Sequence, residues 1–448
     1  MKSISVLWRR VWPRIIGNLA GGVSSRRKGR RNWSPRAEVL ETRALLSSST
    51  QLVLISLDGA TSNLIDQYLA SGALSTDSGI GYLRTHGVAA TQNLTVSPSL
   101  TAPGHIAMVT GSTAAYNDVV GNSFRLLASP FSGGTTSGFA APIGGYDIHG
   151  PAEDPTPTAT PVWQTLQAAG KTVIAATFAG ADGADIKIGT TTVQPAAERT
   201  VDYTVPFGAF AGVGAQGFTL TSGDFSAAPS QTQADLTATG HVSYSPVLQK
   251  TTKLETISVG GQTYNIQLAA LDTTNDSTTN YDTLVFFDTA HGGIAGPFTP
   301  SPLGTGAAFV KASDHQSSLF YLEGSSTKAG TSFYVSSLAP DLSTIHLARY
   351  SANAIPRNPA VLGDIDDINN NVGFWAPQAD FRIPEKLSPG FNNFADSELE
   401  AMYEDQVKTF VVYQTNVALW SLQKKPNADL SMFYIEQPDG SQHQFLLT

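Results

Sequence analysis

The sequence predicts an α/β protein with a mostly parallel central sheet that is flanked by helices and interrupted by a β-rich insertion. Three observations support this prediction. The short apolar run "LVLISLDG" is typical of a strand buried on both sides. The segment "TPVWQTLQAAGKTVIAATFAG" predicts a helix closed by Gly170 and a strand at 172–178. The segment "ADSELEAMYEDQVKTFVVYQTNVALWSLQKKP" predicts a capped helix that leads into the strand "LSMFYIEQPD".

The elements between these landmarks follow from the same patterns. After the first strand, "TSNLIDQYLASGAL" predicts a helix and "YLRTHGVAATQNLTV" predicts a return to the sheet. A further helix is predicted directly after Thr101. From 245 to 350 the sequence consists of short segments in which apolar and polar residues alternate, and Gly260-Gly261 indicates a hairpin. We therefore expect a basic, disordered segment at 1–50, an α/β domain at 51–244 and 351–448, and a β-rich insertion at 245–350.

Composition limits the chemistry that this chain can perform. The 448 residues contain no cysteine, so disulfides, thiolate metal sites and cysteine nucleophiles are excluded, and a metal must be held by Asp, Glu, His or hydroxyl oxygen. The net charge is -9, but the first 43 residues hold 11 of the 27 Lys and Arg and only two acids. The remainder carries 16 basic and 34 acidic residues, and this acidic body argues against binding to a nucleic-acid duplex.

The basic front segment predicts export. It has no apolar run long enough to span a membrane. Its end, "SPRAEVLETRALLSS", resembles the LEPR-XLL type of N-terminal segment found on large exported bacterial proteins, with Thr42 where proline is usual. The resemblance implies an extracellular or cell-envelope protein, associated with the cell surface through this segment or the insertion. The alternative is a disordered basic tail.

The stretch "SPSLTAPGHIAMVTG" places a hydroxyl, on Thr101, at the start of a predicted helix. Threonine there is often an N-cap that accepts a hydrogen bond from a helix amide. The alternative is a nucleophile, because free N–H groups and the positive end of the helix dipole favour a deprotonating hydroxyl and an incoming phosphate or sulfate. The residues of this stretch leave both interpretations open.

Three further side chains are candidates for a metal site. In α/β sheets, ligands bind outside the carboxyl ends of the strands, where Asp58 and Asp439 are predicted to lie. Asp439 and His443 are four residues apart, which on a helical turn gives a workable pair of zinc ligands. Aspartate at a strand end is more often a cap or turn residue, and the Asp-His spacing alone is common in solvated turns. The pair Asp314-His315 lies in the predicted insertion, where we favour a surface role.

Taken in order, several motifs carry a family resemblance. "LVLISLDG", "SPSLTAPGH..MVTG", Gly121-Asn122, "TPVWQTLQAAGK" and "YIEQPDGSQH" follow one another as in the type I phosphodiesterases and nucleotide pyrophosphatases of the alkaline phosphatase superfamily. The resemblance covers residues 51 to about 180 and 395 to 445, and the insertion matches no family. It implies an alkaline phosphatase-like sandwich that hydrolyses phosphodiester or pyrophosphate bonds of a small phosphate ester such as a nucleotide.

The resemblance also implies residue roles. Asp58 would bind one zinc ion, and Thr101 would be both its ligand and the nucleophile. Asp439 and His443 would bind a second zinc ion, and Asn122 would hold a phosphoryl oxygen. The implied cofactors are two divalent metal ions, zinc foremost, although this ligand chemistry also suits manganese or iron. His105 is not a ligand in the family, so we assign it a structural role.

The sequence departs from the family pattern after His443. The family continues with a Ser-Asp-His-Gly-like motif and a final histidine, whereas "SDHQ" at 313–316 precedes Asp439 and lacks the glycine. We also expect a last strand, "QFLLT". The sequence therefore predicts an incomplete fragment with little activity alone. The alternatives are a phosphomonoesterase or sulfatase-like hydrolase on the same scaffold, and an exported binding protein with a vestigial site.

Overall fold

The computed structural model describes residues 51–90, 94–117, 119–125, 135–140, 159–181, 186–188, 191–194, 201–296, 306–324 and 327–445. The N-terminal segment with the LEPR-XLL-like motif lies outside these ranges. The α-helices are α1 Ser62–Ala70, α2 Gly79–His86, α3 Thr101–Thr110, α4 Ala114–Asn117, α5 Val162–Ala168, α6 Ser230–Ala238, α7 Leu362–Asn371, α8 Asp396–Lys424 and α9 Asp439–Phe445. Short 3-10 turns occupy Gly138–Ala140, Ser222–Asp224 and Pro359–Val361.

The strands run through the whole described chain. They are β1 Leu52–Leu57, β2 Ser123–Arg125, β3 Thr135–Ser137, β4 Val173–Ala176, β5 Ile186–Ile188, β6 Thr191–Gln194, β7 Tyr203–Val205, β8 Ala209–Phe210, β9 Gln216–Leu220, β10 Phe225–Ala227, β11 Leu248–Lys250, β12 Glu255–Val259, β13 Gln262–Leu271, β14 Thr283–Phe287, β15 Ala307–Lys311, β16 Phe320–Glu323, β17 Lys328–Thr331, β18 Phe333–Leu338, β19 Ile345–Arg349, β20 Asn353–Ala354 and β21 Leu430–Ile435.

A four-stranded parallel sheet, in the order β1-β21-β4-β7, forms the α/β part. Helices α3 and α5 cover one face, where Ile106, Trp163 and Met432 belong to one hydrophobic cluster. Helices α7 and α8 cover the other face, where Ile365 and Phe410 pack against the sheet. The predicted α/β class with a parallel sheet between helices is thereby confirmed. The finer likeness to alkaline phosphatase stays a prediction.

Strand β1 differs from the prediction. It pairs with β21 on one side, and no other described strand pairs with it on the other. Leu52, Val53 and Ile55 remain 59%, 46% and 57% exposed. The prediction of a strand buried on both sides was wrong. An apolar run shows that its side chains favour burial, but it does not show how many neighbouring elements cover them.

The segment between α1 and α3 also differs from the prediction. Residues 79–86 form helix α2 and not a returning strand. Residues 87–90 and 94–100 contain no strand. Thr101 therefore starts its helix from irregular backbone and not from a strand end.

Antiparallel sheets form the β-rich part. One sheet has the order β10-β11-β13-β14-β15, a second has β16-β17-β20-β8, and a third has β18-β19-β9. The hairpin predicted at Gly260-Gly261 is confirmed, since Val259 pairs with Gln262. Strands β9 and β10 come from upstream of residue 245 and pair with β19 and β11 of the predicted insertion, whereas β8 pairs with β20, which lies after residue 350. None of the helices within the described ranges combines the length and the apolar character needed to cross a bilayer.

Candidate active site

Asp58 and Asp439 meet where β1 and β21 end. Asp58 follows β1 directly, and Asp439 is the first residue of α9. The Asp439 amide donates to the Asp58 carbonyl oxygen at 3.0 Å. Gly59 permits this approach, because it has a φ of +71° and an added Cβ would lie 2.8 Å from Cα of Asp439. The parallel register of the two strands thus brings together two acids that are far apart in sequence.

This end of the sheet concentrates negative charge. Burial, and next the charge of Asp58, raises the pKa of Asp439, while His443 opposes the shift. Burial, and next the charge of Asp439, raises the pKa of Glu436 to about 7. Glu436 Oε2 is buried without a hydrogen-bond partner. Three carboxyl groups therefore crowd one place, where a cation would relieve their repulsion.

Asp439 and His443 face each other across one turn of α9. His443 Nε2 lies 3.3 Å from Asp439 Oδ2, and the His443 side chain is 68% exposed. The helical spacing expected from the sequence is therefore present. The predicted strand "QFLLT" was wrong over the residues described, because Gln444 and Phe445 continue α9.

Thr101 is the first residue of α3, and the N-cap is Leu100. The interpretation of Thr101 as an N-cap was therefore wrong. The cap function comes from Asn122, whose Oδ1 accepts a hydrogen bond from the Ala102 amide at 2.8 Å. Because this bond fixes Oδ1 as the acceptor, Nδ2 is the atom of Asn122 that remains to donate to a ligand. The structure thus brings Asn122 to the helix turn that carries Thr101.

A buried hydrogen-bonded bridge connects Thr101 to β1. His105 Nδ1 lies 2.6 Å from the Thr101 carbonyl oxygen, and His105 Nε2 lies 2.8 Å from Ser56 Oγ. A carbonyl can only accept, so Nδ1 carries the proton and Nε2 accepts from the Ser56 hydroxyl. His105 is 4% exposed. Ser56 lies in β1, so the bridge links the backbone of Thr101 to the strand that leads directly into Asp58.

The donor types fit a divalent cation such as zinc. Asp58 and Asp439 offer carboxylate oxygens, and His443 offers an imidazole nitrogen. Within the described ranges, however, no three His, Asp or Glu side chains are arranged to bind one metal ion. These side chains are therefore of the types that bind a divalent metal ion, but the described residues supply only some of the ligands that such a site needs.

The structure keeps "SDHQ" away from this site. His315 Nδ1 bonds to the Val335 carbonyl at 2.8 Å, next to β18 in the β-rich part. It therefore provides no replacement for the family motif that is expected after His443.

Sequence reasoning missed Ser56, Tyr434 and Glu436. Tyr434 donates its hydroxyl to Asp58 Oδ2 at 3.0 Å. Ser56 could have been found, because residues two apart in a strand share a face. The contact of Tyr434 with Asp58 depends on the pairing of β1 with β21, for which the sequence contains no local signal.

Comparison with known proteins bears on residues 52–240, which match the family model of type I phosphodiesterase / nucleotide pyrophosphatase. No curated protein and no solved structure gives a significant match to the chain. The matched segment contains Asp58, Thr101 and Asn122, while Asp439 and His443 lie beyond it. The family consists of hydrolases and is generally metal-dependent. Residues 52–240 of this chain are therefore a type I phosphodiesterase / nucleotide pyrophosphatase domain.

Proposed function

We propose that this protein hydrolyses phosphodiester or pyrophosphate bonds in a metal-dependent reaction with Thr101 as the nucleophile. The observation that carries the proposal is the arrangement at the first turn of α3. There Asn122 Oδ1 accepts from the Ala102 amide, directly beside Thr101. A helix N-terminus attracts a phosphate group, and Asn122 Nδ2 would donate to a phosphoryl oxygen bound there.

In the proposed reaction, Thr101 Oγ forms a bond to phosphorus as the ester P–O bond breaks. The departing oxygen takes a proton from water, and the Thr101 proton passes to solvent. Water then hydrolyses the Thr101–phosphate bond, which releases the phosphate together with its second ester group and restores the hydroxyl. Asn122 and the first-turn amides of α3 stabilise the charge on the phosphoryl oxygens during both steps.

Asp58 and Thr101 would hold one divalent metal ion, and Asp439 and His443 would hold a second. We propose that two metal ions bind, and that they are zinc foremost. When bound, they supply Lewis acidity that favours deprotonation of Thr101 and neutralises charge on the leaving oxygen. Metal affinity depends on ligand number, so the few ligands among the described residues lead us to propose slow turnover by these 448 residues alone.

The test compares a chromogenic phosphodiester, the matching phosphomonoester and the matching sulfate ester, each with and without zinc. We expect zinc-dependent release of the chromophore from the diester first. Even when turnover is slow, intact-protein mass spectrometry should detect one phosphoryl group on the chain that still carries the second ester group of the substrate. Thr101→Ala should abolish both signals. Thr110→Ala is the matched control, because it removes a hydroxyl from the far end of the same helix, where Thr110 Oγ1 bonds to the Ile106 carbonyl.

The remaining outcomes separate the alternatives. Preference for the monoester or the sulfate ester would favour a phosphomonoesterase or sulfatase-like hydrolase. Bound metal without any phosphorylated protein would contradict the proposal and favour a binding protein on this scaffold. We also propose that the protein is exported through its N-terminal segment, which cell fractionation with and without residues 1–50 would test.

A further inference from the structure

Tyr434 lies beside Ser56 in the parallel pair of β1 and β21. Partners in such a pair point to the same face of the sheet, and Ser56 bonds to His105 on α3, so Tyr434 and Ser56 both face α3. The Tyr434 hydroxyl donates to Asp58 Oδ2 at 3.0 Å. Tyr434 is 6% exposed, so water competes little for this bond. The contact joins a proposed metal ligand to the central strand of the site.

Tyr434 is held independently of Asp58. Its ring packs edge-on against His105, with centroids 5.0 Å apart at 89°, and Phe207 contacts it at 5.7 Å. Its backbone carbonyl accepts from Thr177 Oγ1 at 2.8 Å. Packing and backbone therefore fix where the hydroxyl lies, and the hydroxyl in turn fixes the carboxylate.

The direction of the bond is also fixed. A carboxylate oxygen only accepts, so the Tyr434 hydroxyl is the donor in this bond and Asp58 Oδ2 is the acceptor. The bond occupies Asp58 Oδ2 from the side of β21. The rotation of the Asp58 carboxylate is thereby restricted before any ligand arrives.

We propose that Tyr434 is a positioning residue that orients Asp58 for metal binding. The inference rests on the proposed function, in which Asp58 is a metal ligand. Partners that hold metal ligands in place commonly contribute 10- to 100-fold in metal affinity. Tyr434 would act by reducing the orientational freedom that Asp58 loses when it binds the ion.

The test measures the zinc affinity of the full chain by competition with a chromophoric chelator. Tyr434→Phe keeps the ring and its packing and removes only the hydroxyl, and we expect affinity to fall by about 10-fold or more. Tyr413→Phe is the matched control. Tyr413 is also buried, and its hydroxyl donates to the Gly373 carbonyl at 2.9 Å, in the core between the sheet and α8. Its loss should leave zinc affinity unchanged.

Asp58→Asn separates this inference from the proposed function. If Asp58→Asn loses zinc affinity and Tyr434→Phe does not, Tyr434 has no positioning role and the metal site stands. If neither change alters affinity, or the wild-type chain binds no zinc, the metal site and the inference both fail. Equal losses in Tyr434→Phe and Tyr413→Phe would mean a general effect on the fold, which also overturns the inference. Urea unfolding of each variant without metal reports any such general effect directly.

Discussion

The carboxamide of Asn122 caps the helix of Thr101 from 20 residues away, with Oδ1 accepting the Ala102 amide at 2.8 Å. One side chain thereby contributes to both stability and the proposed chemistry, through different atoms. Oδ1 satisfies an amide that α3 cannot satisfy itself, and Nδ2 is left for the substrate. The two contributions can be separated by substitution.

Asn122→Asp should keep the cap and lose the donor. We expect near-native thermal stability, because a carboxylate oxygen caps as well as an amide oxygen, and about 100-fold lower kcat/KM, because a charge-stabilising donor is replaced by an anion. Asn122→Ala should lose both, with a stability loss of about 1 kcal/mol. Thermal unfolding and steady-state kinetics measure the two effects. Equal activity in Asn122→Asp and the wild type would contradict the assigned role of Nδ2.

Ser56→Ala should weaken the link between β1 and Thr101. The change leaves His105 Nε2 buried without its donor, and we expect a stability loss of about 1 kcal/mol together with a fall in kcat that exceeds any rise in KM. Ser421→Ala is the control, since Ser421 is also buried and its hydroxyl donates to the Val417 carbonyl within α8. It should affect stability alone. A change in kcat of equal size in both variants would rule out a specific role for the bridge.

Gly59→Ala tests the close approach of the two acidic residues. A methyl group at Gly59 would press against Asp439, whereas Gly72 has a similar φ of +76° and open space around it. Gly72→Ala therefore isolates the backbone strain of a positive φ, about 1 kcal/mol. We expect Gly59→Ala to lose at least about 1 kcal/mol more by urea unfolding, and to lose zinc affinity as Asp439 is displaced. Equal stability losses in the two variants would mean that the contact with Asp439 is not tight.

Asp405 on α8 should make stability fall with increasing pH. Burial raises its pKa to about 6, and its Oδ2 accepts a hydrogen bond from the Tyr350 hydroxyl at 3.1 Å. The folded state thus binds the proton more tightly than the unfolded state does, so this group costs stability as pH rises from about 4 to about 6. Asp405→Asn should be more stable than the wild type by roughly 1–3 kcal/mol above pH 6, and the gain should vanish below about pH 4. Urea unfolding across this range measures it.

The control for Asp405 is Glu404→Gln, which removes an exposed carboxylate from the same helix. Between pH 4 and 6, this variant should show no comparable increase in stability over the wild type. If Asp405→Asn were more stable than the wild type by the same amount at pH 4 and at pH 8, ionisation of Asp405 would not be the cause of the increase.

Local sequence patterns predicted the parts of the fold that depend on local physics. The helix of residues 396–424 has acids in its first turn and Lys424 in its last, and the turn at Gly260-Gly261 needs positive φ at both glycines. These signals act within a few residues, so they can be interpreted without knowing the tertiary structure. The closeness of Asp439 and His443 could be predicted for the same reason, since one helical turn separates them.

The features that were missed depend on neighbours distant in sequence. Whether Val53 is covered is decided by what lies beside β1, and whether Thr101 caps its own helix is decided by Asn122. The contact of Tyr434 with Asp58 requires two strands that are over 370 residues apart to pair in one register. Only motif order, through the family resemblance, indicated that these segments lie together.

No strand among the described residues pairs with the outer edge of β1, and this has a consequence for handling the protein in solution. Unpaired backbone N–H and C=O groups flanked by apolar side chains are a template on which strands of other molecules can add. Val53 and Ile55 lie on that edge. Concentrated or warmed samples should therefore scatter light before the core melts, and mild chaotropes or a lysine at position 53 should keep them clear for the assays above.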